Sequence, residues 1–189
     1  MGEGDFQMYE ELAQNGVGLI ITGHACVARG GRANEEQLNL FDDAAVEDIR
    51  RAAALTHEAG ARFVVQLSHA GPRAIDTEDL ADVSARPLKK DRAARAMTQE
   101  EIASLSKAFA TAAVRAQKGG ADGVQIHAAH SYLVSRFLDP FFNARTDEYG
   151  GDASGRFRLL AEIIEAIRER CGKDFPILIK INSDTKGAD

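Results

Sequence analysis

The sequence predicts a parallel α/β fold, and three observations carry that expectation. Helical apolar periodicities alternate with short, almost unbroken apolar runs. A glycine closes each helix shortly before such a run. The links ahead of the runs are short, whereas the segments after them are long. Unbroken runs of Val, Ile and Leu suit strands buried on both faces, because helices cover a parallel sheet from both sides. Long segments at one end only describe a scaffold with a single functional face.

The elements follow in order. A first helix runs from Phe6 to Gln14, with Met8, Tyr9 and Leu12 as its apolar face, and ends at Asn15-Gly16. Val17 to Thr22 is the first strand. A second helix starts near Asp42-Asp43, buries Val46, Ile49, Ala53 and Leu55, and stops at Gly60 before a strand from Arg62 to Leu67. Thr98-Gln99-Glu100-Glu101 is a capping box that opens the third helix. Ile102, Leu105, Phe109, Ala112, Ala113 and Ala116 then share one helical face. Gly119-Gly120 ends it ahead of a strand from Asp122 to Ile126. The fourth helix, Gly155 to Arg170, buries Leu159, Leu160, Ile163, Ile164 and Ile167, and Gly172 closes it before a strand from Pro176 to Ile181. Segments 23–42, 68–97 and 131–154 read as loops. Four strands suit either an open sheet or a piece of a (β/α)₈ barrel, which takes eight strands and about 250 residues.

Composition narrows the function classes. The 189 residues are 44% hydrophobic and 28% charged, enough for one domain with its own core. A net charge of −6 argues against a nucleic-acid partner. No apolar run approaches the roughly 20 residues of a membrane span. Met1-Gly2-Glu3-Gly4-Asp5 is too acidic and polar for a signal peptide, and Gly2 lacks the pattern of a myristoylation site. Cys26 and Cys171 are far apart and form no CxxC pair, so a reducing, cytoplasmic location is expected.

The chemistry concentrates at strand ends. Side chains alternate along a strand. Gln66 with Ser68, Gln125 with His127, and Lys180 with Asn182 therefore pair up on common faces after apolar starts. Polar groups without partners are costly to bury, so their convergence points to a polar ligand, whereas any one of them alone could be satisfied by loop backbone. In Asp122-Gly123-Val124-Gln125-Ile126-His127-Ala128-Ala129-His130-Ser131-Tyr132 a strand runs into two histidines and a tyrosine. Three readings stay open. The pair could ligate a metal, although no HExxH and no third ligand is evident. It could clamp a carbonyl or anion with two N–H groups while Tyr132 supplies a proton. It could be a capping pair beside a core tyrosine. Gln66 both donates and accepts, and Lys180 would oppose an anion or electron-rich ring, which together suit a flat hydrogen-bonding cofactor. No GxGxxG loop supports a Rossmann site. Arg156 and Arg158, near the turn Asp147-Glu148-Tyr149-Gly150-Gly151, read as structural.

These residues carry a resemblance. Gln66-Leu67-Ser68-His69-Ala70-Gly71 resembles the Q-L-x-H-A-G segment of Old Yellow Enzyme-like flavin oxidoreductases. Gly123 to Leu133 resembles their histidine-pair and tyrosine segment. Phe137 to Gly151 is similar to their F-L-S-P-x-x-N-x-R-x-D-x-Y-G-G. Gly16 to Thr22 looks like the family's second strand, and Ile179-Lys180-Ile181-Asn182 like its fifth. Two departures are mild: Ser131 stands where glycine is usual, and Asp152-Ala153-Ser154-Gly155-Arg156 replaces S-x-E-N-R.

The resemblance implies a partial (β/α)₈ TIM barrel of about four parallel strands, the family's second to fifth, with flanking helices. Residues 1–189 would then be one incomplete flavin-oxidoreductase domain, without the first strand, the phosphate-binding loops of strands six to eight, or an iron–sulfur cysteine cluster. It implies FMN as cofactor, NAD(P)H as reductant, no metal, and reduction of an α,β-unsaturated carbonyl alkene. Gln66 and Lys180 would hold the flavin, His127 and His130 the substrate carbonyl, and Tyr132 would be the proton donor. A small-molecule substrate and a homo-oligomer are expected. The alternatives are a half-barrel module without independent activity and a metal-dependent hydrolase using His127 and His130.

Overall fold

A computed structural model of the chain describes residues 1–88 and 92–183. Residues 89–91 of the loop read over 68–97, and 184–189 of the unit read over 1–189, lie outside the described residues. The elements are α1 (Glu3–Gln14), β1 (Leu19–Ile21), β2 (Ala25–Cys26), α2 (Ala45–Glu58), β3 (Arg62–Ser68), a 3-10 turn (Gly71–Arg73), β4 (Ala81–Asp82), β5 (Arg86–Pro87), β6 (Ala93–Ala96), α3 (Gln99–Lys118), β7 (Gly123–Ala128), α4 (Leu133–Leu138), α5 (Ala153–Cys171) and β8 (Ile177–Ile181).

The main sheet has the order β1-β3-β7-β8, every pair parallel, and β2 continues beside β3 where β1 stops. The four expected strands are therefore present, each neighbour the next in chain order, as in one half of a barrel. α2 and α3 pack on β3, α3 also on β7, and α3 against α5. The central strands carry the core: Phe63, Val65, Leu67, Val124 and Ile126 are fully buried, with Ile102, Phe109, Ala112, Ala113 and Ala116 of α3 over them. The capping box forms as expected, with the Thr98 hydroxyl accepting from Glu101 N–H and the Glu101 carboxylate from Thr98 N–H.

Several expectations need correction. The buried stripe of α1 is Phe6, Tyr9 and Ala13, spaced i, i+3, i+7. Met8 and Leu12 lie about a third of a turn away, 46% and 40% exposed, because α1 rests on α2 and β1 through the other stripe. In α2 the packed positions are Ala45, Ile49, Ala52, Ala53 and Thr56, with Val46 and Leu55 half-buried, and Ile164 of α5 is half-buried too. The first strand is shorter than the apolar run: Thr22 N–H still donates to the Val64 carbonyl, but Gln66 N–H donates to the Thr22 hydroxyl, at 3.1 Å.

The segments read as loops are structured. Segment 68–97 folds into a second sheet, β4-β6-β5, and segment 131–154 contains α4. The buried ion pair Arg136–Asp82 joins α4 to β4, with Arg136 Nε 2.7 Å from Asp82 Oδ1. The Arg145 guanidinium donates to the carbonyls of Val83 and Met97, fastening the next loop to the same sheet.

Candidate active site

Register brings the polar strand ends together. Gln66 lies beside Gln125, and His127 beside Lys180. Alternation then sets Gln66, Ser68, Gln125, His127 and Lys180 on one face, the inner face of the half-barrel. All but Ser68 border a cavity of about 760 Å³ whose wall also includes Thr22, Gly23, His24, His130 and Tyr132. All five residues singled out from the sequence, Gln66, His127, His130, Tyr132 and Lys180, reach it. Arg156 and Arg158 do not. They donate to the carbonyls of Leu138 and Glu148, a structural use as expected.

Each side chain is aimed by its neighbours. The Gln66 amide N–H donates to Gln125 Oε1 at 2.5 Å. Lys180 is half-buried and makes no ion pair among the described residues. His127 is 2% exposed, and its Nδ1 accepts from Ala129 N–H at 3.3 Å. Burial, then the positive fields of His24, His130 and Lys180, push its pKa down to about 4. The ring is therefore neutral near pH 7, and with Nδ1 accepting, its proton sits on Nε2. Tyr132 meets it edge-on at 4.8 Å between ring centroids, and His130 also meets it edge-on, at 5.1 Å.

The His130–Ser131 corner is held open by its surroundings. Both residues have φ of +57°, the left-handed region that non-glycine residues rarely enter. His130 N–H donates to Asn182 Oδ1 at the end of β8, and Arg73 Nη1 donates to the His130 carbonyl. Leu133 N–H donates to the His69 carbonyl, tying α4 to the end of β3. The corner turns the chain sharply enough to bring Tyr132 back over His127. His69 itself is half-buried, its Nδ1 accepts from Gly71 N–H, and desolvation lowers its pKa to about 4, so it serves the turn.

Three residues at this site were not legible from the sequence: His24, Gln37 and Arg73. His24 follows a bulge. From Ile21 to Ala25 is four steps, opposite three from Val64 to Leu67. One extra residue kinks the strand and re-aims its side chains. That carries the His24 ring to 4.9 Å from Tyr132 and 5.7 Å from His127. Among the described residues no group of three His, Cys, Asp or Glu side chains could hold a metal, and no helix is long and apolar enough to cross a membrane.

Known proteins share this fold. An NADPH dehydrogenase from Geobacillus sp. is 39% identical over 176 residues, 93% of this chain and 51% of that protein. A crystal structure of Old Yellow Enzyme from a Pichia species superposes with a TM-score of 0.88 at 29% identity, covering 96% of this chain and 51% of the other. A 2-naphthoyl-CoA reductase, in complex with 2-naphthoyl-CoA, gives a TM-score of 0.87 at 26% identity over 93% of this chain and 29% of its own. The chain thus spans about half the length of the curated relatives it matches. The profile of one family covers residues 3–188, nearly end to end. The chain belongs to the NADH:flavin oxidoreductase / NADH oxidase family.

Proposed function

We propose that this chain forms the substrate-facing half of an FMN-dependent NAD(P)H dehydrogenase that reduces an alkene conjugated to a carbonyl. The observation that carries the reading is the placement of a neutral, donating His127 edge-on to Tyr132 in one cavity with Gln66 and Lys180. The residues present suit a flavin ring. A half-buried lysine without a described ion partner calls for an anion or an electron-rich ring, and an amide that can donate and accept suits a pyrimidine edge. Gln66 and Lys180 would hold that ring, and FMN, when bound, supplies the hydride after NAD(P)H has reduced it.

The chain's own residues do the rest. His127 Nε2–H and the His130 ring bind the carbonyl oxygen and offset the charge that builds on it as the alkene becomes an enolate. A neutral imidazole suits that work because it donates without having to give up its proton. Tyr132 delivers the proton to the α-carbon. Burial of His127 and closure of the corner by Arg73 and Asn182 fix these groups before substrate arrives.

Tyr132→Phe in the FMN-loaded protein tests the reading. Single-turnover oxidation by an enone should slow about 10²- to 10⁴-fold, the usual range for a general acid, with a far smaller change in flavin reduction by NADPH. Alkene reduction at the wild-type rate would rule the role out. A second reading is favoured by the outer face of β8, where Ile179 and Ile181 are 41% and 62% exposed. In it, the 189-residue stretch binds flavin only once more polypeptide, a second copy included, covers that face. Flavin absorbance co-eluting with the monomer would exclude it.

A further inference from the structure

His24 is the one imidazole in the cavity without a role above, and its hydrogen bonds determine its tautomer. Gln37 Oε1 accepts from Ala33 N–H at 2.6 Å, which orients the Gln37 amide. Its nitrogen therefore faces His24, donating to the His24 carbonyl at 2.8 Å and lying 3.0 Å from the ring Nδ1. With one of its two hydrogens on the His24 carbonyl, the Gln37 nitrogen has the other for Nδ1, which then carries no proton. The Ser68 hydroxyl lies 2.8 Å from Nδ1 and can donate to the same bare nitrogen. Burial, followed by the charges of Lys180 and His130, lowers the pKa of His24 and favours the neutral ring. In that ring the one proton is on Nε2, which lies 3.5 Å from Tyr132 Oη.

We propose that His24 is a positioning residue for Tyr132: locked in its Nε2–H tautomer by Gln37 and Ser68, it donates to the phenol oxygen and leaves the tyrosine's own proton directed into the cavity. The inference rests on the proposed role of Tyr132 as proton donor. In the step itself the Tyr132 O–H bond breaks and a C–H bond forms at the substrate α-carbon. The negative charge left on Oη is met by the His24 N–H, a contact that strengthens as the charge develops. His24 keeps its proton throughout, and solvent water reprotonates Oη after product leaves. The strand bulge is what makes this possible, since unbroken pairing would set a different side chain opposite Gln66 and Ser68.

Nitrogen-15 NMR of the histidine-labelled 189-residue chain tests the tautomer without any cofactor. His24 should show a protonated Nε2 and a bare Nδ1, with the opposite tautomer appearing in Gln37→Leu. A protonated Nδ1 in the wild type would overturn the proposal. In FMN-loaded protein, His24→Phe keeps a ring but removes the N–H. It should slow enone reduction about tenfold more than flavin reduction, the worth of one hydrogen bond, and His24→Gln, which can still donate, should recover part of the loss. Combined with Tyr132→Phe, His24→Phe should cost nothing further. Independent, multiplying losses would sink the positioning role. If Tyr132→Phe alone left enone reduction intact, the proposed function would fail, while the NMR result would still decide the tautomer.

Discussion

The two ends of the central strands use charge in opposite ways. At the N-terminal ends of β3 and β7, Asp122 accepts from Phe63 N–H, His57 and Arg62, and the cluster closes on itself at the surface. At the C-terminal ends, His127 and Lys180 border an open cavity with donors that no described residue takes up. The first arrangement uses up its hydrogen-bonding capacity, and the second keeps some in reserve. A polar group left unsaturated costs stability unless a ligand engages it, so that difference marks the working end of the sheet.

Holding such an end together takes buried charge. Asp82 and Arg136 are 0% and 6% exposed at the side chain and join β4 to the helix that follows Tyr132. Asp82→Ala would strand a buried guanidinium and should destabilise the fold by about 3–5 kcal/mol in urea unfolding. A loss under 1 kcal/mol would mean that the C-terminal loops rest on apolar packing alone.

The opposite end should respond less. Burial acts to raise the Asp122 pKa, but the Phe63 N–H, His57 and Arg62 together outweigh it, so the carboxylate pKa ends below its ordinary value. A carboxylate depressed on folding stabilises above the unfolded value, and the gain disappears as pH falls through the folded one. Asp122→Asn should therefore cost about 1 kcal/mol at pH 7, and its deficit against wild type should shrink as pH falls through the lowered folded-state pKa. A pH-independent deficit would assign the effect to geometry rather than charge. If Asp122→Asn cost as much as Asp82→Ala, the contrast between the two ends would be lost.

How much of this was legible in the sequence follows the same divide. β3, β7 and α3 were legible because burial imposes periodicity, and Thr98 with Glu101 announces a helix start. Gln66, His127, His130, Tyr132 and Lys180 stood out as polar residues ending apolar runs. The second sheet did not, because strands of two to four residues built from Ala, Asp and Arg carry no alternation. α4 is six residues long, too short for a helical period to show. His24 was hidden because its orientation depends on a one-residue bulge and on partners 13 and 44 residues away. Nothing local encodes that, and only the register of β1 and β2 against β3 brings it out.

The smallest effect bears on the strain at the working end. Ser131 sits at φ +57°, and its hydroxyl makes no hydrogen bond among the described residues. A side chain in this region costs about 1–2 kcal/mol. Glycine would relieve that but leave the unfolded chain freer by about 0.4–1 kcal/mol. Ser131→Gly should thus stabilise the fold by about 0.5–1 kcal/mol, and Ser131→Ala, which keeps a Cβ, should not. The neighbouring His130 keeps the same conformation, clamped by Arg73 and Asn182, so Tyr132 should stay over His127 in both variants. If Ser131→Gly were neutral or destabilising, the corner would be relaxed in the folded chain. The contrast would then reduce to hydrogen bonding: a strand end that leaves its donors unspent without storing backbone strain.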